Sequence, residues 1–320
     1  MKKLILGVAI AVFSIGSAAA DTTVRYAFVN PMASHFGTAA NVFKAYVEDK
    51  TGGRIKIAIF PGGSLGGERE IIESLQLGTV DMAMTGTTVV GNFVPEIGVF
   101  DVPYLFRDTE HARKVFDGPI GQGILTKFKQ HDLIGLGYGE NGFRHLTNSK
   151  KPVETPADMV GMTIRTMESP VPIAAFKQLG ARPTPIAWPD LYSALQQGVV
   201  DGEENPLSNI ITAKFYQVQK YLSLTGHIFA PTVIMMSPAA WGKLSDADQK
   251  VIKEGVAKAI DAQRSEVDAI EKNGLKTLSD AGVVITKVDR VKFSEEEAPA
   301  YAEFDKTFGK ATLDAIKNVK

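Results

Sequence analysis

The sequence predicts an α/β protein of two units, and three observations carry that expectation. Strand and helix patterns alternate from residue 24 onward, the alternation restarts on a smaller scale near Gly139, and a long amphipathic stretch opens at Ser245. Together they describe two helix-covered sheets with an element long enough to reach both.

The first residues precede that alternation. Lys2 and Lys3, an apolar run at 4–15, and Ala18, Ala19 and Ala20 before Asp21 are the three parts of a secretory signal peptide. The run is short for a bilayer, and nothing later reaches the roughly 18 consecutive apolar residues of a membrane span. With no cysteine near Asp21 to carry a lipid, residues 1–20 are expected to be removed and the product exported in soluble form.

Residues 24–29 are rich in strand formers, and 36–47 carry apolar side chains at helical spacing until Thr51, Gly52 and Gly53 stop them. Residues 54–60 alternate as a strand, and Pro61, Gly62 and Gly63 turn it. Ile71, Ile72, Leu75 and Leu77 then form a helical face that Gly78 ends ahead of a strand at 80–84. Such βαβ crossovers normally build a parallel sheet with ligands outside the carboxyl ends of its strands.

The second unit follows a strand at 133–138. Strands at 162–165 and 182–186 bracket a helix at 172–179, and 191–197 make the next short helix. No Ser/Gly tract marks the boundary near residue 140. Ser245 with Asp248 has capping-box spacing, and apolar positions from Val251 to Ile270 carry the helix to about residue 278. Some 30 residues would span about 45 Å, enough to bridge both units, although two consecutive surface helices fit the same pattern. A strand at 283–288 and helices at 295–308 and 311–316 complete the chain.

Composition excludes several classes. Without residues 1–20, 33 of the 35 basic side chains remain against 36 acidic ones, a formal charge near −3 with no Lys/Arg block, which argues against a nucleic-acid surface. Zero cysteines in an exported chain leave apolar burial to hold the fold. Histidines 35, 111, 131, 145 and 227 make no HExxH, which disfavours a zinc enzyme. Ser34 beside His35 has no GxSxG elbow, and Gly62, Gly63, Gly66 and Gly67 fit neither a Walker loop nor a dinucleotide fingerprint. No cofactor is expected.

The positive candidates are fewer. Arg144 lies just beyond the strand at 133–138, and Arg165 ends that at 162–165. A guanidinium fork at a strand end suits a carboxylate and does not titrate away, although either residue would serve equally in a structural ion pair. Asn205, in a turn before Pro206, offers an amide or simply shapes the turn. Trp188 is either core or pocket wall. Glu68, at a helix start after Gly66 and Gly67, opposes an anion and suits a substrate hydroxyl. Asp201, Glu203 and Glu204 are dense enough for a cation site or paired carboxylates, or are loop charges.

Longer segments carry a resemblance: PGGSLGGERE at 61–70, LQLGTVDMAM from Leu75, ENGFRHLTNSKKPVETPADMVGMTIR from Glu140, PTPIAWPDLYSALQQGVVDG from Pro183, ENPLSNI from Glu204, and AKFYQVQKYLSLTGH ending at His227. In that order, over essentially the whole chain, they resemble the solute-binding component of tripartite ATP-independent periplasmic (TRAP) transporters, the DctP-like family. The resemblance implies a periplasmic binding protein with two α/β domains, hinge strands and a long domain-spanning helix. Domain I would hold 21–140 plus 231–270, and domain II 141–230 plus 271–320. It implies a periplasmic receptor, expected as a monomer, that closes over a small carboxylate and delivers it to TRAP membrane subunits. Arg165 matches the arginine that pairs with the ligand carboxylate, Arg144 the second arginine, Asn205 the amide and Trp188 the aromatic wall; Glu68, Asn30 and Thr85 match positions on the domain I side.

Two departures refine this. Relatives that bind sialic acid carry an acid and an arginine where this chain reads Thr85, Gly86, Thr87, Thr88 and Val89, so a smaller or more apolar acid fits better. Glu203 stands where glutamine is common, and in a branch resembling 2-oxo-acid binders an acid near this position helps hold a cation. The expected ligand is a small organic acid, with a C4-dicarboxylate favoured over a 2-hydroxy, 2-oxo or aromatic monocarboxylate. A ligand receptor for a membrane sensor and an exported enzyme acting on a carboxylate are the alternatives.

Overall fold

The computed structural model describes residues 22–320, so the signal-peptide reading of 1–20 lies outside the described residues. The first unit opens with β1 (Thr22–Ala27), α1 (His35–Lys50), β2 (Ile55–Phe60), α2 (Glu68–Gln76) and β3 (Met82–Gly86). As the crossover grammar predicts, β1 pairs in parallel with both β2 and β3. Next come α3 (Thr87–Val90), a 3-10 segment Pro95–Asp101, α4 (Thr109–Asp117) and α5 (Pro119–Lys127), which lead into β4 (Ile134–Asn148).

The second unit contains β5 (Thr163–Thr166), α6 (Pro170–Gln178), β6 (Arg182–Pro185), α7 (Trp188–Gln196), β7 (Gly202–Pro206), α8 (Leu207–Thr212) and β8 (Tyr221–Ser223). The chain returns to the first unit through β9 (Phe229–Met236), α9 (Pro238–Trp241) and α10 (Asp246–Asp280), then finishes with β10 (Val284–Thr286), α11 (Arg290–Glu297), α12 (Tyr301–Phe304) and α13 (Lys310–Lys317).

The strands run in the order β2-β1-β3-β9-β4-β7-β5-β6, with β8 on β4 and β10 on β8. The sheet is mixed rather than parallel, because the two linking strands reverse direction: β9 is antiparallel to β3 and β4, and β4 is antiparallel to β7. Residues 134–143 of β4 pair with β9, whereas 144–148 pair with β7, so one strand serves both units. Arg144 therefore lies inside a 15-residue strand and not beyond a short one. Gly135, Gly137, Gly139 and Gly142 weaken the strand signal in sequence, but close packing requires a small residue there. A Cβ on Gly139 would sit 1.9 Å from the Gln263 Oε1 of α10. Asn205 likewise lies within β7 and not in a turn, where its backbone faces His145 of β4.

Each unit buries a core on both faces of its sheet. In the first, Tyr26, Phe43 and Ile57 pack with Ile252 and Val256 of α10, and Ile71, Leu75, Phe100 and Phe116 fill the other side. In the second, Leu146, Ile164 and Phe176 pack with Phe293, and Leu191, Leu207 and Phe215 pack with Leu278. Ile252 and Leu278 both belong to α10, so this 35-residue helix of about 52 Å does bridge the units. Ser245 caps it, its Oγ accepting from the Asp248 N–H at 3.2 Å. The assignment of all of 271–320 to domain II needs correcting at its end. Phe304, Leu313 and Ile316 are buried in the core of the first unit, and Arg107 of that unit donates to the carbonyls of Lys317 and Val319, each at 2.7 Å. His111 of α4 adds a hydrogen bond to the Ile316 carbonyl at 2.9 Å, which ties the tail to the first unit. The helix expected at 295–308 is also broken, into α11, α12 and a π-helical stretch Asp305–Gly309.

Candidate ligand-binding site

The carboxyl ends of β1, β3, β5 and β7 converge on a cleft between the units, where the sequence-level rule for open α/β sheets places ligands. The cleft is closed. Asn92 donates to the Glu168 carbonyl at 2.6 Å across its lip, and Asn30 donates to Asn209 Oδ1 at 3.1 Å deeper inside. The turn after β2 abuts the start of α7: Gly63, at φ +68°, would place a Cβ 3.1 Å from Pro189 Cγ.

A cavity remains between the units, lined among others by Asn30, Glu68, Asn141, Arg144, Arg165, Trp188, Asn205 and Asn209. Thus six of the seven residues singled out in sequence share one cavity. The seventh, Thr85, is buried in β3 opposite Val233 with its hydroxyl unpartnered, and its neighbours Gly86 and Thr88 line the cavity instead. Asn141 and Asn209 were not singled out. Asn209 falls four residues after Asn205 on the helix that β7 feeds, and that spacing was the available signal.

The two arginines are both buried, at 2% exposure for Arg144 and 1% for Arg165, yet their partners differ completely. Arg144 donates through Nε to Glu204 Oε2 at 2.5 Å and through Nη2 to Glu204 Oε1 at 2.9 Å, with further bonds to the Glu204 carbonyl and Asn205 Oδ1. His227 Nε2 donates to the same carboxylate at 3.1 Å. Burial alone would raise the Glu204 carboxyl, but Arg144 and His227 outweigh it and hold the group at about 2. Arg165, in contrast, donates only Nε to the Ile186 carbonyl at 2.8 Å, and its buried Nη1 has no partner. Burial lowers its pKa, while Glu204, Glu203 and Glu68 act in the opposite sense. A guanidinium stays charged in such a setting, so an unpaired buried cation faces the cavity.

Polar groups of defined orientation surround it. His35 Nε2 donates to Asn141 Oδ1 at 2.6 Å, which turns the Asn141 amide N–H₂ away as a donor. Burial depresses His35 to about 4, so the ring is neutral. Glu68 accepts the Gly86 N–H at 3.1 Å, and its carboxyl is raised by burial against the opposing pull of that bond and of Arg165. Trp188 is half-buried at the first position of α7, 5.3 Å from the Phe215 ring, so it serves as core and as cavity wall at once. Glu203 spends its oxygens on Thr147 Oγ1 at 2.6 Å and on the Asn205 amide. Asp201 is occupied by the Thr163 N–H at 2.8 Å. Among the described residues no group of three His, Cys, Asp or Glu side chains could hold a metal ion, and the Asp201, Glu203 and Glu204 run forms no such site.

A two-lobed α/β fold joined by shared strands and closed over an internal cavity is the architecture of a solute-binding protein. The chain belongs to the bacterial extracellular solute-binding protein family 7, DctP, whose model matches residues 26–307, and its relatives are solute-binding receptors rather than enzymes. It is similar to a TRAP periplasmic solute-binding protein from Polaromonas sp. JS666 bound to D-erythronate, with 49% identity and a TM-score of 0.92 over 93% of this chain and 99% of that one. It is similar to one from Bordetella bronchispeptica with density interpreted as pantoate, with 47% identity and the same TM-score and coverage. A third, from Sulfurospirillum deleyianum with bound succinate, shows 32% identity and a TM-score of 0.90 over 94% of this chain and all of that one.

Proposed function

We propose that the protein is a periplasmic receptor for a small hydroxylated monocarboxylate, of the size of a C4 sugar acid, which it captures by domain closure and hands to TRAP membrane subunits. The observation that carries this is the contrast between the arginines. Glu204 engages Nε and Nη2 of Arg144 and matches its charge, while Arg165 has no carboxylate bonded to it and its Nη1 is buried without a partner. That leaves one guanidinium for one carboxylate. The remaining lining, with Asn30, Asn141, Asn209 and Glu68, offers donors and acceptors suited to hydroxyl groups. D-erythronate, bound by the solved relative at 49% identity, and pantoate, to which density in the relative at 47% identity was assigned, are ligands of this kind.

A C4-dicarboxylate is the second reading, because Arg144 lines the same cavity and could serve a second carboxylate if Glu204 shared it. Calorimetric titration of residues 21–320, refolded to remove carried-over ligand, with D-erythronate, pantoate and succinate decides between them. We expect either hydroxy acid to bind at least about tenfold tighter than succinate, the worth of about one well-made hydrogen bond in a buried site. Tighter binding of succinate would establish the dicarboxylate reading, and no binding of any of the three would refute both.

A further inference from the structure

Three asparagines and one glutamate form a continuous hydrogen-bonded chain across the cleft. Asn30, on the loop after β1, donates Nδ2 to Asn209 Oδ1 at 3.1 Å; Asn209, on α8, donates Nδ2 to Asn205 Oδ1 at 3.0 Å; and Asn205, on β7, donates Nδ2 to Glu203 Oε2. All four side chains are buried, with Glu203 completely so. Asn209 and Asn205 each use the oxygen toward one neighbour and the nitrogen toward the next, and Asn30 uses its nitrogen, so the orientation of any one fixes the others.

The direction of such a chain is set at its ends. Asn30 carries both a donor and an acceptor, and so do Asn209 and Asn205, so the three amides alone could run either way. Glu203 breaks the symmetry. Its other oxygen already accepts from Thr147 Oγ1 at 2.6 Å, and a carboxylate offers only acceptors to Asn205. Arg144 Nη2, at 3.3 Å, also donates to Asn205 Oδ1 and enforces the same orientation. At the far end Asn30 gives its N–H₂ to Asn209, which leaves Asn30 Oδ1 as the atom it presents to the cavity.

We propose that Glu203, which does not line the cavity, is a positioning residue that polarises the Asn205–Asn209–Asn30 relay, so that the relay latches the two domains together and presents an acceptor at Asn30 to a ligand hydroxyl. The part about the hydroxyl rests on the function proposed above; the latch does not. The relay also accounts for both oxygens of Glu203 with protein partners, which a cation role would have to displace.

The test is a double-mutant cycle between Glu203→Met and Asn30→Ala. These residues stand at opposite ends of the chain in different domains, so side chains that act independently would give additive effects. Leaving a buried donor unsatisfied costs about tenfold or more, so each single variant should weaken D-erythronate binding about tenfold. Through the relay, the double variant should lose about tenfold rather than the roughly hundredfold of additivity. Glu203→Gln, whose amide oxygen still accepts from Asn205, should bind within about threefold of the unmodified protein. In an Asn209→Leu background the coupling between the two ends should vanish.

The cycle is read a second time without ligand, from energy transfer between fluorophores placed on the two domains. There each single variant should lower the closed population, and the double variant no further. Additive effects in the closed population overturn the latch, and persistence of the coupling with Asn209→Leu overturns the relay as its path. Binding of none of the acids, with the closed population still coupled, removes the functional reading and the hydroxyl acceptor while leaving the latch in place. A folding defect in Glu203→Met, seen as lost cooperative unfolding, is met by comparing Glu203→Gln with Asn205→Leu, which the relay predicts to fall on opposite sides of a tenfold loss.

Discussion

Replacing Arg165 with methionine should abolish ligand binding and leave the fold as stable as before or more so, whereas the same change at Arg144 should damage the fold first. Arg165 is 1% exposed with one hydrogen bond through Nε and an unpartnered Nη1, so the closed protein carries a charge that burial disfavours and no protein carboxylate bonds. Methionine removes that charge and fills similar volume. Arg144 neutralises Glu204 through two charge-assisted bonds, and its loss strands a buried carboxylate, which costs about 3–5 kcal/mol. For binding, deletion of one partner of a buried hydrogen-bonded charge pair costs at least about 2 kcal/mol, or about 30-fold in affinity. At a ligand concentration about 100 times the dissociation constant, ligand stabilises the native protein by about 2.7 kcal/mol, and the Arg165 variant should retain under about 1 kcal/mol of this. Urea unfolding with and without D-erythronate reads both quantities. An Arg165 variant that binds within about threefold of the parent, or an Arg144 variant of unchanged ligand-free stability, would refute the division of labour between the two arginines.

Two further outcomes follow from side chains around the cavity. Trp188→Ala removes an indole that packs on Phe215 and walls the site, so stability should fall by about 2–3 kcal/mol and pantoate, with its methyl groups, should lose more affinity than D-erythronate; equal losses would place the ring outside the selectivity surface. Asp101, buried with one hydrogen bond from Thr88 at 2.7 Å, is raised by burial to about 7, above the usual aspartate value of 3.8. A group raised on folding contributes stability that is full below its unfolded pKa and is lost as pH rises through the folded one. Asp101→Asn should therefore flatten the decline in unfolding free energy between about pH 4 and pH 7, by about 4 kcal/mol; an unchanged slope in urea titrations at pH 4, 5.5 and 7 would count against this burial effect.

Periodicity exposed the elements whose sequence pattern belongs to one neighbour at a time. α1 and α2 each bury a single face against one core, and α10 announces itself through the Ser245 cap and its long apolar stripe. The strands that join the units were hard to read for the opposite reason. β4 changes partners between Phe143 and Arg144 and packs Gly137, Gly139 and Gly142 against α10, and β9 is buried throughout, so neither shows the alternation of a half-exposed strand. Arg144 and Asn205 were consequently placed at a strand end and in a turn. Their chemistry was legible and their backbone was not. The return of Phe304, Leu313 and Ile316 to the first core was equally hidden, since an apolar helical face does not say which of two cores it will cover.

What no single residue could reveal is the difference between two arginines that look alike in sequence. It arises from register: β4 and β7 pair Arg144 with Pro206 and bring Glu204 within bidentate reach, while β5 pairs Arg165 with Glu203, whose carboxylate is already committed to Thr147 and Asn205. Because a buried cation without a counter-charge is costly, closing the units over Arg165 is favoured only with an anion beside it. A carboxylate that enters supplies the missing counter-charge only when the domains approach and water is excluded, so its interaction is stronger in the closed form than in the open one. That difference is what lets a ligand shift the equilibrium, and a ligand bound equally well by both forms would shift nothing. On the proposed function closure is thus coupled to Arg165, and Arg144, its charge matched by Glu204, can hold the second domain's frame without demanding an anion of its own.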